Sequence, residues 1–456
     1  MLRRTEISTG NMIFFILAVI IVTAIWRAPE DISLAEITGR IIIVTSCFTI
    51  LYLFLFNFYF EVLKVPLKTL FILFQVISFV VLTRLALEYP DRNLLPLIPF
   101  ALIPIMTGTF YDSRLAVFIL LVTATLTAFF VPEPFEFAFM NSIAGLAAIY
   151  TLTDSHRKAK FFITAFYVVL SYVILYTGFR LLMDGDFSNF IVQDLIAFAG
   201  NGLLVLLSYP LIFIFEMRFK FLSDSTLLEL ADTNQPLLRK LADEAPGSFQ
   251  HSLQVANLAE EAARITGSNP LLVRTGAMYH DIGKISGPGY FVENQKNGVS
   301  PHDTLDPEVS VRYIINHVDS GVVLAKNFKL PSQILDFIRT HHGTSVAYYF
   351  FKKYTDKKPR DSAAEKAFAY PGPKPFTKET AIVMMADAVE ASSRSIEKQT
   401  EDSISELVER IILLQEQDGQ YSEVPFTYKD ISDIKEAFKK RLSTMYHGRI
   451  VYPPKE

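Results

Sequence analysis

Hydrophobic positions fill the first half of this chain in long unbroken runs. Eight such runs stand at 11–27, 40–60, 67–87, 94–110, 114–131, 136–152, 160–182 and 190–216, and charged residues fall almost only between them. A helix needs roughly 20 residues to cross the hydrocarbon core, and most of the runs reach that length. None has the form of a barrel strand, so membrane helices are the predicted elements. The runs at 94–110 and 136–152 are the weakest, being short and carrying Pro96, Pro99 and Pro104 or Gly145.

From Arg218 onward the pattern becomes that of an ordinary charged globular domain. Apolar residues recur three and four apart and no alternating run stands out, which predicts helices nearly throughout. Residues 217–245 read as a helical linker, with Ser225 or Thr226 capping one helix and Pro236 in the first turn of the next. "APGS" then breaks the chain before a run starting at Phe249, and 352–376, rich in charge and proline, reads as a loop. The expected fold class is all-α: a polytopic helical membrane domain over 1–216, the linker, and a cytoplasmic all-helical domain over 246–456.

The loops supply the orientation. Arg3 and Arg4 precede the first run, and basic or neutral loops ("EVLKVPLK", "YDSR", "DSHRKAK", "EMRFK") alternate with acidic ones ("EYPDRN", "PEPFE", "MDGDFSN"). The positive-inside rule places both ends in the cytoplasm, which requires an even number of spans, and eight satisfies it. The first run lacks a convincing small-residue cleavage site, so an anchor is favoured over a signal peptide. Lys68, Arg84, Arg180 and Asp194 fall near the ends of runs, where long side chains snorkel at little cost. That argues for an anchor or sensor rather than a transport path through the bilayer.

Composition narrows the chemistry. The 51% hydrophobic content and mean hydropathy of +0.30 average two unlike halves. A net charge of −4 gives no support for a broad surface binding a nucleic-acid polymer. Cys47, the single cysteine, lies inside an apolar run, so disulfide frameworks and thiolate metal sites are excluded. Any metal must be held by nitrogen and oxygen.

Six of the eight histidines fall between 251 and 342. His251 shares a helical face with Val255, Leu258 and Ala262, and His280 and Lys284 continue the stripe of Val273 and Ala277, with Asp281 beside it. His317 lies three residues after Ile314. Ile334 and Ile338 align with His341 or His342 before Gly343 ends the helix, and Val383, Asp387, Glu390 or Ala391, and Arg394 stack on one face. Buried imidazoles and carboxylates are costly unless paired or bound to metal. One such histidine alone is more often a satisfied core or surface residue; five with two aspartates on one helical domain point to a centre for iron, manganese or zinc.

The pattern H…HD…H…HH…D resembles the HD-domain metal phosphohydrolases. More narrowly, "PGSFQHSLQVANLAEEAA", "YHDIGKISGPGYFVENQ", "SPHD" and "HHGTSVAYYFFKK" are similar to the seven-transmembrane-HD cyclic-di-AMP phosphodiesterases of the PgpH type, over roughly 40–456. The resemblance implies two divalent ions, iron or manganese. It assigns His251, His280, Asp281 and Asp387 to one and Asp281, His317, His341 and His342 to the other, with Asp281 as the bridge. It further implies attack of a metal-activated hydroxide on cyclic di-AMP, giving pApA, at the cytoplasmic face of a bacterial inner membrane. Lys284 and Arg394 are candidates to neutralise phosphate and Tyr290 and Phe291 to stack on a base, each with an ordinary surface or core reading beside it, and His302 is a candidate to line the pocket. His156 and His447 carry no expected role. A homodimer is compatible with this reading. The large extracytoplasmic domain usual in that family is replaced by about a dozen residues, 28–39, so its input is missing or replaced, or the chain is a trimmed form. The competing readings are a cyclic-di-GMP enzyme of the HD-GYP type, disfavoured by "HHGTS" in place of "HHE" and a downstream "GYP", another nucleotide phosphohydrolase, and a membrane receptor that binds a nucleotide without cutting it.

Overall fold

A computed structural model describes residues 9–26, 33–89, 94–152, 159–186, 191–295, 300–358, 360, 362–396 and 398–446. His156 and His447 lie outside the described residues. The chain forms two compact units, Met1–Ser223 and Asp224–Glu456. Among the described residues there is no strand, only an isolated bridge between Val346 and Ala369.

Each apolar run of the first unit becomes helical. The main helices are Thr9–Ile25, Leu34–Phe58, Pro66–Leu87, Leu102–Phe110, Ser113–Ala128, Pro134–Thr151, Ala159–Asp184, and the pair Val192–Val205 and Ser208–Phe219. Three are long and apolar enough to cross a membrane, or four if the last pair, bent by 43°, counts as one span. The second helix starts earlier than its apolar run because Ser33 and Glu36 form a capping box ahead of it. The run at 94–110 yields only a 3-10 turn and a nine-residue helix, since Pro96 and Pro99 withhold backbone donors from its first half. Phe162, Phe166, Leu170 and Ile174, four apart, are all exposed along one face of Ala159–Asp184. A lipid-facing surface has that character, and a water-facing one does not.

The snorkelling expectation fails for two charges. The Arg180 side chain is 22% exposed and Asp194 only 7%, and both turn inward. Arg180 reaches Glu136 at 2.7 Å and Asp184 at 3.6 Å, so paired charge replaces contact with the interface.

In the second unit, helix Pro246–Ile265 packs against Pro270–Tyr279, Lys378–Ser393 and Tyr428–Tyr446. Lys378–Ser393 is buried on nearly every side, as its run of small and apolar residues requires. Two expectations are corrected. "APGS" does separate two helices, but at Ala245 alone, and the next helix starts at Pro246 and not Phe249, because proline suits the first turn, where its missing N–H costs nothing. Within 352–376, helices Tyr348–Thr355 and Ser362–Ala367 replace part of the expected loop. Phe350, Phe351, Ala364 and Phe368 bury there against Val311, which gives the segment a small core of its own.

Candidate metal centre

Four helices and one break bring the seven predicted residues together. His251 comes from Pro246–Ile265, His317 from Pro307–Asn327, and Asp387 from Lys378–Ser393; His341 and His342 follow the end of Ser332–Thr340. The helix Pro270–Tyr279 stops one residue before His280, and a 3-10 helix runs from Ile282 to Ser286. Asp281 therefore sits at a change of helix type, φ −105° and ψ 13°, and not within one continuous turn as the stripe through Lys284 suggested. Gly283 makes that break possible. A Cβ there would lie 1.8 Å from the His317 carbonyl oxygen and 2.6 Å from the Gly321 nitrogen, so only glycine lets the two backbones close. Gly343, at φ +52°, ends the histidine pair in the left-handed conformation that glycine adopts most readily.

The two oxygens of Asp281 face opposite groups. Oδ2 lies 3.3 Å from His280 Nε2 and 3.6 Å from His251 Nε2, and Oδ1 lies 3.5 Å from His317 Nε2 and 3.7 Å from His341 Nε2. Asp387 Oδ1 is 2.9 Å from His251 Nε2, and its Oδ2 is 3.8 Å from His342 Nδ1. Among the described residues, three overlapping triads have ligand atoms close enough to share an ion: His251–His280–Asp281, His317–His341–His342 and His280–His341–Asp387.

Hydrogen bonds behind the ligands orient them. Nδ1 of His280, His317 and His341 faces the carbonyls of Ala277, Ile314 and Ile338 at 2.6, 2.5 and 2.9 Å, so each carries its hydrogen there and turns Nε2 inward. His251 Nδ1 meets Glu390 at 2.5 Å, and Arg394 holds the other Glu390 oxygen through Nε and Nη2.

The arrangement fits a metal on its own chemistry. His317 Nε2 and His341 Nε2 sit 3.1 Å apart with both Nδ1 hydrogens already committed, so two lone pairs face each other unless a cation stands between them. His280 Nε2 and both Asp281 oxygens are buried without a hydrogen bond. Such groups are expensive to leave unsatisfied, and a divalent ion accepts all of them.

Electrostatics divide the imidazoles. Burial favours the neutral form of every one. Asp281 and Asp387 overcome it at His280, holding it up at about 10, and Asp387 with Glu390 raise His251. At His342 burial prevails, despite Asp387, and pushes it down to about 3; burial and neighbouring imidazoles lower His341, and burial chiefly lowers His317. Against the push of burial, the surrounding cations hold Asp281 and Asp387 well below the usual carboxylate range.

A cavity of about 500 Å³ opens beside the cluster, lined by His251, Lys284, Glu293, His342, Asp387 and Arg394 among others. Lys284 Nζ is 2.7 Å from Asp281 Oδ2, without hydrogen-bond alignment, and 2.8 Å from Glu293.

The family described as a 7TM receptor with intracellular HD hydrolase matches residues 34–223, and the HD domain matches 248–392. The chain belongs to this 7TM-receptor HD-hydrolase family. The first match takes in every apolar run except the first. The chain is 38% identical over 317 residues to "Cyclic-di-AMP phosphodiesterase PgpH" of Bacillus subtilis, covering 68% of this chain and 44% of the relative. It is 39% identical over 318 residues to the protein of the same name from Listeria monocytogenes, covering 68% and 43%. It thus spans under half the length of these curated relatives. A solved structure of the L. monocytogenes PgpH HD domain in complex with cyclic-di-AMP is 43% identical; the match covers 48% of this chain and all of that one, at a TM-score of 0.46.

Within this HD unit, some expected pocket residues lie elsewhere. Tyr290 and His302 are not in the cavity lining. A 3-10 turn at Pro288–Tyr290 sends the Tyr290 ring against Tyr313, stacked at 4.2 Å, and His302 Nε2 contacts the Tyr290 carbonyl at 2.9 Å. Phe291 is buried against Lys284 and His317, a core position. Glu390, Glu293 and Tyr370, which stacks on His342 at 4.2 Å, were not predicted as site residues. Only Glu390 left a signal, its place one turn after Asp387.

Proposed function

We propose that this protein is a membrane-anchored phosphodiesterase that hydrolyses cyclic di-AMP to linear pApA at the cytoplasmic face of the bacterial inner membrane. The observation that carries the reading is Asp281, whose two oxygens are each flanked by a separate pair of imidazoles with no hydrogen bond of their own. His251, His280, Asp281 and Asp387 would hold one divalent ion and Asp281, His317, His341 and His342 the other, with iron or manganese suited to an all-nitrogen-and-oxygen set. Two such ions lower the pKa of water and offset charge on phosphoryl oxygens.

The chain's own groups complete the site. The carbonyl partners of His280, His317 and His341 keep Nε2 aimed inward through turnover. Lys284 and Arg394 line the cavity as cations to receive phosphate oxygens, each first held by a carboxylate that keeps it in place. Water adds to one phosphorus, the bond to the ribose 3′ oxygen breaks, and the ring opens to a 5′-phosphorylated dinucleotide. The relatives named as cyclic-di-AMP phosphodiesterases support adenine as the base. The alternation of loop charge supports both chain ends and the HD unit in the cytoplasm and an even number of spans; eight satisfies it if the shorter apolar helices also cross.

The test uses the full chain in detergent, loaded with Mn²⁺ or Fe²⁺ and given cyclic di-AMP or cyclic di-GMP, with Asp281→Ala as control. Metal-dependent conversion of cyclic di-AMP to pApA, abolished in the control, is expected. Tight binding without turnover would replace the enzyme by a receptor, and faster cleavage of the guanine compound would overturn the substrate.

A further inference from the structure

The inward-turned charges of the membrane unit belong to a second site. A cavity of about 260 Å³ lies among its helices, lined by Glu133, Glu136, Tyr172, Tyr176, Arg180 and Asp194 over an otherwise apolar wall that includes Phe137, Met140 and Phe198. Glu136, Arg180 and Asp194 lie near helix ends yet pack between the helices instead of facing the interface, an arrangement that snorkelling does not explain. These groups also come from distant parts of the sequence: the start of Pro134–Thr151, the last turns of Ala159–Asp184 and the first turn of Val192–Val205.

We propose that this cavity binds a small organic amine with an apolar body. Three carboxylates and one guanidinium line it, so the wall carries a net charge of −2 (one minus three). Arg180 is already engaged by Glu136 at 2.7 Å and by Asp184 at 3.6 Å, and its guanidinium lies 5.4 Å from the Tyr176 ring centre. The carboxylate excess of the wall sits beside tyrosine and phenylalanine rings, and that combination attracts ammonium groups. An inorganic cation fits poorly, because among the described residues no three carboxylate or imidazole groups converge there closely enough to share an ion. An anion would meet the carboxylate surplus. A cavity of about 260 Å³ has room for an amine the size of a modified amino acid.

The lining residues cluster where the helices meet the acidic loops "PEPFE" and "MDGDFSN". On the topology proposed above, that side faces away from the cytoplasm, so the site is placed to receive an external amine or the amine of a lipid headgroup. It does not depend on the phosphodiester chemistry.

The experiment titrates the full chain in phosphatidylglycerol nanodiscs with tyramine, its neutral alcohol tyrosol, and 4-hydroxyphenylacetate, reading binding by calorimetry. Tyramine should bind saturably and at least about tenfold more tightly than the other two. Asp194→Asn should weaken it about tenfold, and Glu133→Gln, at an exposed position whose side chain makes no capping hydrogen bond, should weaken it measurably without altering the melting temperature. Discs containing phosphatidylethanolamine separate the sources: unchanged tyramine binding supports a soluble amine, and competition supports the headgroup amine. No saturable binding of tyramine, equal binding of the alcohol or the acid, or full affinity in folded variants would overturn the proposal. Binding is read without hydrolysis, so failure here and failure of the enzyme reading are separate results.

Discussion

Replacing Glu390 by glutamine isolates the role of the group behind His251. Glu390 is 3% exposed, its Oε2 lies 2.5 Å from His251 Nδ1, and its other oxygen is held by Arg394 at 2.6 and 2.9 Å. That clasp decides which imidazole nitrogen carries the hydrogen and turns Nε2 toward Asp387 and Asp281. Glutamine keeps the length and an acceptor oxygen but removes the charge, so the ring becomes a weaker donor to metal. Losing such a partner costs about 10–100-fold in metal affinity, or about 1.4–2.7 kcal/mol. His251 adjoins only one of the two ligand groups, so one ion should weaken by about tenfold and the other should not change. Competition between the full chain and a fluorescent chelator during Mn²⁺ titration resolves the two steps. Glu390→Ala should weaken the same step further, because Nδ1–H then has no partner. Two steps within twofold of the unsubstituted chain would refute the reasoning, and equal weakening of both would show a general loss of structure instead.

Other outcomes follow from neighbouring contacts. Gly283→Ala forces a Cβ against the His317 carbonyl and should cost about 3 kcal/mol or more, read as a large fall in melting temperature of the full chain; an unchanged midpoint would contradict the close approach. Lys284→Met leaves Asp281 and Glu293 without their shared cation, and breaking a buried pair costs about 3–5 kcal/mol, so the metal-free variant should melt much lower, with Mn²⁺ restoring more stability than it adds to the parent. Metal loading near neutral pH should release protons, since His251 and His280 are held above their ordinary value while His317, His341 and His342 are held below it. Affinity should accordingly rise with pH toward about 10, the value at His280, and calorimetry in buffers of different ionisation enthalpy counts the protons; none released would refute the assignment.

Legibility differed between the two units for a physical reason. Membrane helices announce themselves because lipid tolerates no unsatisfied backbone and few charges, so the runs around 67–87 and 160–182 give helices with nearly those bounds. Periodicity carries no information about which way an isolated charge turns. Arg180 looked like an interface residue from its position, and only the partners brought near it, Glu136 from 44 positions earlier among them, turn it inward. The clustering of these histidines and aspartates was readable because imidazole and carboxylate on apolar faces need a reason to be there. The break at Asp281 was not, since His280 and Lys284 keep helical spacing and only the Gly283 contact shows why the helix ends. Tyr290 lies outside the lining of this cavity for a related reason: it ends a 3-10 turn, invisible to a 3.6-residue period, and its ring stacks on Tyr313.

The charges around the centre bear on how many ions the proposed reaction needs. Asp281, Asp387, Glu293 and Glu390 contribute four negative charges, and Lys284 and Arg394 two positive ones, leaving −2 (two minus four) with the histidines neutral. A cyclic dinucleotide carries two phosphodiester charges of the same sign, and in the metal-free cluster the protons held by His251 and His280 offset the carboxylate surplus near neutral pH. One divalent ion that displaces those protons leaves the sum at zero, so it does not yet attract the substrate. Two bring it to +2, equal and opposite to the substrate, and attraction of that kind is worth most where burial keeps solvent away. Substrate affinity should therefore depend on the second ion more steeply than on the first. This is a consequence of the same carboxylates that hold the ions, because Glu293 and Glu390 add negative charge beyond what Asp281 and Asp387 supply, and a single ion cannot reverse it.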